Sequence, residues 1–188
     1  GGFTLDRISV ARHKEKRLFH IRYLSKMKGK GRSPLQINVK DAITGLIGGF
    51  FTIFALILLT KITSAVWLMA PFGASCVLAF GLWNAPLSQP RNIIGGHFVS
   101  TFVGLASYHF FGDEPWAIGL AVGLAIAVMM LTKTTHPPAG ADPLVVMLGQ
   151  YGWSYLFTPV LTGAVIIVLL ALLINNLRSN RSYPTFWI

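Results

Sequence analysis

Six side chains in the body of this sequence have the chemistry to bind or to transfer: Ser75, Arg91, His97, His109, His136 and Asp142. His136 precedes Pro137, and the extended backbone that a proline imposes on its predecessor ends one segment there and aims the imidazole at the mouth of the next. That position suits a gate, a proton acceptor or an anion ligand, and equally a histidine hydrogen-bonded for structure alone. His97 follows Gly95-Gly96 and is followed by Ser100 and Thr101, a setting for a functional histidine or for a hydrogen bond between helices. Asp142 reads either as a helix cap or as a proton-coupling carboxylate. Arg91 either attracts an anion or marks the side on which its loop lies, and His109, near Asp113 and Glu114, reads as interfacial. No enzyme is expected. Ser75 has no histidine and acid at a known spacing, the histidines are dispersed, and no glycine-rich phosphate loop is present. Neither a metal site nor a cofactor is expected, and a single cysteine, Cys76, excludes a disulfide framework.

The elements that must position these residues follow from composition. Of 188 residues, 53% are hydrophobic and 12% charged, against roughly 25% charged in soluble domains. Sixteen Lys and Arg face six Asp and Glu, but eleven of the sixteen precede Ala42, so the basic balance belongs to an arm and a nucleic-acid partner is not expected. From Ala42 to Leu177 the charged residues are Lys61, Arg91, Asp113, Glu114, Lys133 and Asp142. The chain therefore reads as an all-α integral membrane domain, residues 42–178, behind a basic cytoplasmic arm, residues 1–41, and before a short tail, residues 179–188. Within the arm, Leu5, Ile8, Val10, Leu18, Phe19, Tyr23 and Leu24 are interspersed with basic residues, a partly amphipathic pattern suited to an anionic lipid leaflet. Lys28 to Pro34 reads as a flexible linker. Gly1-Gly2 reads as a trimmed end, and the first apolar run comes too late for a cleaved signal.

Six apolar runs follow: Ala42 to Thr60, Ile62 to Trp83, Ile93 to Phe111, Trp116 to Thr132, Pro137 to Trp153 and Leu156 to Leu177. The first has 19 residues, enough to cross a core of about 30 Å. The fifth is short and opens on two prolines. Counting it as a crossing puts the arm, Arg91, Lys133, Arg178 and Arg181 on the cytoplasmic side with only Lys61 misplaced; leaving it re-entrant misplaces three basic residues. The expectation is six crossings with both termini cytoplasmic. Trp67, Trp83, Trp116 and Trp153 fall at run ends as interfacial anchors.

Pro71-Phe72-Gly73-Ala74-Ser75 and Pro138-Ala139-Gly140-Ala141-Asp142 share a Pro-x-Gly-Ala core at an offset of 67. Each opens the middle run of three, so the halves, residues 42–111 and 116–177, read as inverted repeats with broken middle helices. Proline suits a first helical position and glycine permits close approach of other backbone. Two helix N-termini pointing at the midplane would suit a small anion, held by backbone N–H groups of Gly73, Ala74, Ser75, Gly140 and Ala141 with the Ser75 hydroxyl and His136.

His136-Pro137-Pro138-Ala139-Gly140-Ala141, with Ala70-Pro71-Phe72-Gly73-Ala74-Ser75 and Gln89-Pro90-Arg91-Asn92-Ile93-Ile94-Gly95-Gly96-His97, resembles the HPP family of small integral membrane proteins over most of Ala42 to Leu177. The resemblance implies membrane transport, with nitrite the substrate associated with cyanobacterial and chloroplast members, although that family is usually described with four or five spans. Asp142 stands where the family pattern often has an uncharged polar residue, a change bearing on selectivity or coupling. The expected function is a transporter or channel for a small inorganic anion, nitrite first; the alternative is a non-transporting subunit or sensor that recruits a partner through its arm. Pro71, His97, Pro137, Pro138 and Asp142 complete the expected substrate site, with Arg91 as electrostatic attractor. Membrane lipids and a second copy of the chain, in a homodimer, are the other expected partners, in a bacterial inner membrane or a plastid inner envelope.

Overall fold

The structure, a computed structural model, describes residues 22–29, 31–34 and 36–188, divided into units 1–37 and 38–188. In the first unit residues 22–26 form a short helix, with the Ser25 hydroxyl donating to the Arg22 carbonyl at 2.8 Å. Most of the arm's expected amphipathic stretch lies outside the described residues.

In the second unit α1, Val39–Thr63, begins where the Asn38 side chain accepts from the Asp41 N–H at 3.1 Å and ends at Ser64 in the left-handed region. Its buried residues are Thr44, Gly48, Thr52 and Leu56, a stripe spaced by four, while Leu46, Phe50, Phe51 and Phe54 stand exposed. A helix so apolar with so narrow a buried stripe is matched to a hydrocarbon solvent. After an extended segment, α2, Pro71–Cys76, starts with proline in its first turn and is prolonged by a π-helical turn, Val77–Gly81. Helix α3, Pro90–Phe111, and α4, Pro115–Leu131, also open on proline. The 3-10 turn Pro137–Ala141 leads into α5, Asp142–Leu148. Leu156–Leu161, interrupted at Thr158, which the following proline holds extended, leads into α6, Thr162–Asn176.

Hydrogen bonds fix the direction of each element. At one end, here the near end, Arg181 reaches Asp41 at the start of α1, the Phe80 carbonyl after α2 and Asn175 at the end of α6. Arg91 at the start of α3 donates to the Thr132 carbonyl at the end of α4 at 3.0 Å. At the far end Gln150, after α5, donates to Asp113, after α3, at 3.1 Å. Chain direction thus alternates from one helix to the next between α1 and α6. Two segments, Val39–Thr63 and Leu156–Asn176, are by length and composition able to span a membrane alone. Pro71–Gly81 is apolar but covers only about 16 Å at 1.5 Å per residue.

Close packing of α3 centres the bundle. Its Gly96 lies where an added Cβ would come 2.6 Å from the His136 Cβ and 2.8 Å from the Thr134 carbonyl oxygen, and at Gly104 the same atom would come 2.7 Å from the Pro143 Cα. Against α4 it meets a stripe of small residues, Ala117, Ala121 and Ala125, all fully buried.

The C-terminal residues fold back over the near end. Asn176 Nδ2 donates to the Tyr183 carbonyl and its Oδ1 accepts from the Tyr183 N–H. The Tyr183 hydroxyl, whose burial pushes its pKa up, donates to the Ser88 carbonyl at 2.8 Å. Arg181 is 5% exposed and lies 5.6 Å over the Trp83 ring. Arg181→Ala is expected to lower stability by about 2 kcal/mol, because two buried acceptors lose a charged donor. Arg178→Ala, at a more exposed pair with Asp41, should cost under about 1 kcal/mol. Thermal unfolding of the purified protein in detergent checks the order, and equal losses would reduce Arg181 to a surface charge.

Candidate functional site

The two Pro-x-Gly-Ala segments come together beside α3. Ala70, Pro71 and Ala74 of the first face Pro137, Pro138 and Ala141 of the second across an open, apolar-walled groove of about 760 Å³. Behind its wall lies a set of polar side chains with no exposed surface: Ser75 from α2, His97, Ser100 and Thr101 from α3, His136 and Asp142 from the second motif. On α3 these residues and Gly104 recur at the 3–4 spacing of one helix face. Ser100 donates to the Ala139 carbonyl at 2.6 Å, anchoring the second motif, and Thr101 donates to Asp142 Oδ2 at 3.1 Å.

A continuous chain of hydrogen bonds runs through this set. His136 Nδ1 bonds the Leu87 carbonyl at 2.8 Å, His136 Nε2 the Ser75 hydroxyl at 2.9 Å, the same hydroxyl His97 Nε2 at 2.7 Å, and His97 Nδ1 Asp142 Oδ2 at 2.8 Å. The rings of His97 and His136 meet edge to face at 5.0 Å, and Phe72 closes on His97 at 5.2 Å. A carbonyl can only accept, so His136 Nδ1 carries hydrogen and, in the neutral ring, Nε2 is the acceptor. With both rings neutral, the arrangement that satisfies each nitrogen has the single Ser75 hydrogen donated to His136 and the Ser75 oxygen accepting from His97 Nε2–H, with the Pro71 carbonyl a longer alternative acceptor at 3.3 Å. One further proton is shared between His97 Nδ1 and Asp142 Oδ2. The second carboxylate oxygen, Oδ1, is buried with no hydrogen-bond partner.

Ser75, His97 and Asp142 thus stand in the order of a nucleophilic triad, a juxtaposition that sequence spacing did not reveal. Its hydrogen runs the other way: a triad serine donates to its histidine, whereas Ser75 donates to His136 and accepts from His97. With all four side chains fully buried, the arrangement fits proton transfer along the chain better than attack on a substrate carbonyl.

Other expectations are corrected. The N–H groups at the start of α2 are not free: Phe72 donates to the Met69 carbonyl at 3.0 Å and Gly73 to the Ala70 carbonyl at 3.1 Å, while Ala139 donates to the His136 carbonyl at 2.9 Å. An added Cβ at Gly73 or Gly140 would meet nothing within 4 Å, so close approach beside the site is made at Gly96 and Gly104 of α3, not at the glycines of the repeated motif. His136 is fully buried and not at an open mouth. Asn92, which sequence reasoning passed over, donates to the Thr135 carbonyl at 2.8 Å and so fixes the strand-like approach to His136.

A helical bundle that leaves large apolar side chains exposed along its longest helix, and buries His97, His136 and Asp142 inside, is an integral membrane protein. The chain belongs to the HPP family: the profile of the HPP transmembrane region matches residues 34–184. It is 38% identical over 183 residues to a transmembrane protein of Dictyostelium discoideum, a match covering 91% of this chain and 59% of the relative. It is 41% identical over 128 residues to a second transmembrane protein of that organism, covering 64% of this chain and 45% of the relative. The chain thus matches about half the length of these relatives. No solved structure matches it.

Proposed function

We propose that the chain moves a small inorganic anion, nitrite first, across a membrane that it crosses six times as two inverted three-helix repeats. The observation that carries this reading is the convergence of both Pro-x-Gly-Ala segments on one buried polar chain, Asp142, His97, Ser75 and His136. Ionisable groups inside a membrane are costly and are retained where something must pass or bind. The alternating chain direction supports six crossings. Basic residues gathered at the near end, Arg91, Arg178 and Arg181, opposite Asp113 at the far end, support a cytoplasmic near end. Short helices α2 and α5, entering from opposite ends and starting at matching motifs, support the inverted repeat. The family resemblance supplies nitrite.

Nitrite influx into proteoliposomes containing the purified chain tests the reading. Influx above that of protein-free vesicles is expected, and its absence at verified protein insertion would overturn transport. Cysteine variants at Asp113 and Arg178, labelled from either side, test the crossings. Reaction of both from the same side would leave an odd number of passes between α3 and the tail in error.

A further inference from the structure

We infer that one proton crosses with each anion and that Asp142, His97, Ser75 and His136 form its relay, an inference that rests on the transport reading above. Three observations converge on it. The four groups are joined end to end by bonds of 2.7 to 2.9 Å. The Leu87 carbonyl terminates the chain with an atom that only accepts, so every hydrogen in the neutral chain is oriented from Asp142 toward His136. At the opposite terminus, Asp142 Oδ1 is buried without a partner, an open position for a proton or a proton-bearing molecule.

The transfer balances in three hops. The proton of the Asp142 carboxyl passes to His97 Nδ1, the hydrogen of His97 Nε2 passes to the Ser75 oxygen, and the Ser75 hydrogen passes to His136 Nε2. His97 and Ser75 finish with as many hydrogens as they began. One positive charge has moved: Asp142 is left as carboxylate and His136 as imidazolium, which still donates to Leu87 through Nδ1. Release runs back along the same three bonds, so the proton is both taken up and given up at Asp142 Oδ1, and it crosses because the bundle turns that oxygen from one side to the other while His136 holds the charge. The Ser75 hydroxyl is the pivot, because among the described residues it alone hydrogen-bonds both imidazoles, and its 3.3 Å approach to the Pro71 carbonyl gives its hydrogen a resting acceptor when both rings donate to it.

The titratable groups around the relay are few. Tyr155, after α5, lies within electrostatic range of Asp142, and Cys76 of α2 is turned toward Thr52 of α1. No lysine or arginine hydrogen-bonds a member of the relay among the described residues. No fixed positive charge is therefore bonded to the relay, and an anion accompanied by the relay's proton would cross without net charge.

The test uses the full chain in proteoliposomes with an entrapped pH indicator, nitrite added outside at equal pH, and protein-free vesicles as the baseline for nitrous acid leakage. One proton is expected to enter per nitrite above baseline, at a rate unchanged by a potassium diffusion potential. Asp142→Asn, checked for a monodisperse gel-filtration peak, should reduce the protein-dependent proton entry at least tenfold. Infrared difference spectra on nitrite addition supply a readout apart from flux: a carboxylic-acid C=O band is expected in the unsubstituted protein and should be missing in Asp142→Asn. Protein-dependent nitrite influx that leaves the internal pH at baseline and quickens with an interior-positive potential would overturn the relay while leaving transport standing. No protein-dependent nitrite influx at all would overturn the transport reading and the relay with it. A carboxyl band unchanged between the two proteins would likewise remove Asp142 from the path.

Discussion

Gly96→Val is expected to destabilise the protein by up to about 3 kcal/mol and to abolish nitrite influx, the largest effect of any substitution outside the polar chain. At this position of α3 the first atom of any side chain would lie 2.6 Å from the His136 Cβ and 2.8 Å from the Thr134 carbonyl oxygen. Neither neighbour can yield freely. Thr134 N–H is held by the Met129 carbonyl at 2.9 Å, and the Asn92 amide holds the Thr135 carbonyl. The segment must therefore move as a piece, carrying His136 away from Ser75. Gly140→Ala provides the contrast, since its Cβ would meet open space, and it should leave the melting temperature within a degree or two. Thermal unfolding in detergent and flux in vesicles measure both. Equal behaviour of the two variants would show that the close approach at Gly96 does not position the site.

That contrast also marks what was legible in the sequence. Hydropathy located the two longest apolar helices: the run Ala42 to Thr60 lies inside α1, Val39–Thr63, and Leu156 to Leu177 corresponds to a span of 21 residues, Leu156–Asn176. Hydropathy cannot tell helix from extended chain, however. The run Ile62 to Trp83 folds as the end of α1, an extended approach, and a helix of 11 residues, Pro71–Gly81. Proline marked where that helix starts, because it needs no N–H partner in the first turn. The glycines misled for a related reason. Glycine beside proline in the repeated motif suggests a point of contact, whereas contact depends on what lies opposite, and only the fold places Thr134 and His136 against Gly96.

The site was half legible. Ser75, His97, His136 and Asp142 were each singled out by type and by neighbouring residues, yet nothing in their spacing joined them. Ser75 lies 22 positions from His97 and 61 from His136, and His97 lies 45 from Asp142. One signal was present and unused: His97, Ser100, Thr101 and Gly104 fall on a single face of α3, so a polar face in an apolar helix already required a polar counterpart from another element. Arg178 and Arg181 show the same limit. Charge counting treated them as markers of sidedness, while in the fold they gather Asp41, the Phe80 carbonyl and Asn175 into the clamp that closes the near end.

Ser75→Ala should be the most damaging single-atom change in the protein. It deletes the oxygen that bonds both imidazoles and leaves His97 Nε2–H and His136 Nε2 buried without partners, which costs about 1–3 kcal/mol for each unsatisfied group. If the serine only fastened helices together, loss of stability would be the whole effect, and conditions that restore folding would restore transport. If it is the pivot of a relay, nitrite influx and proton entry should fall together by at least tenfold even at temperatures where the variant is fully folded. The pH dependence of any residual influx should flatten, because His136 no longer receives protons from Asp142. Ser75→Thr keeps the hydroxyl in the same place and should recover much of the proton-linked influx, although its added methyl enters a site with no exposed surface and should lower stability by about 1 kcal/mol. Initial rates of nitrite and proton entry for the three proteins, measured against external pH, separate the two roles. A folded Ser75→Ala protein with an unaltered pH profile and rate would show that the hydroxyl is a fastening between helices and that protons take another route.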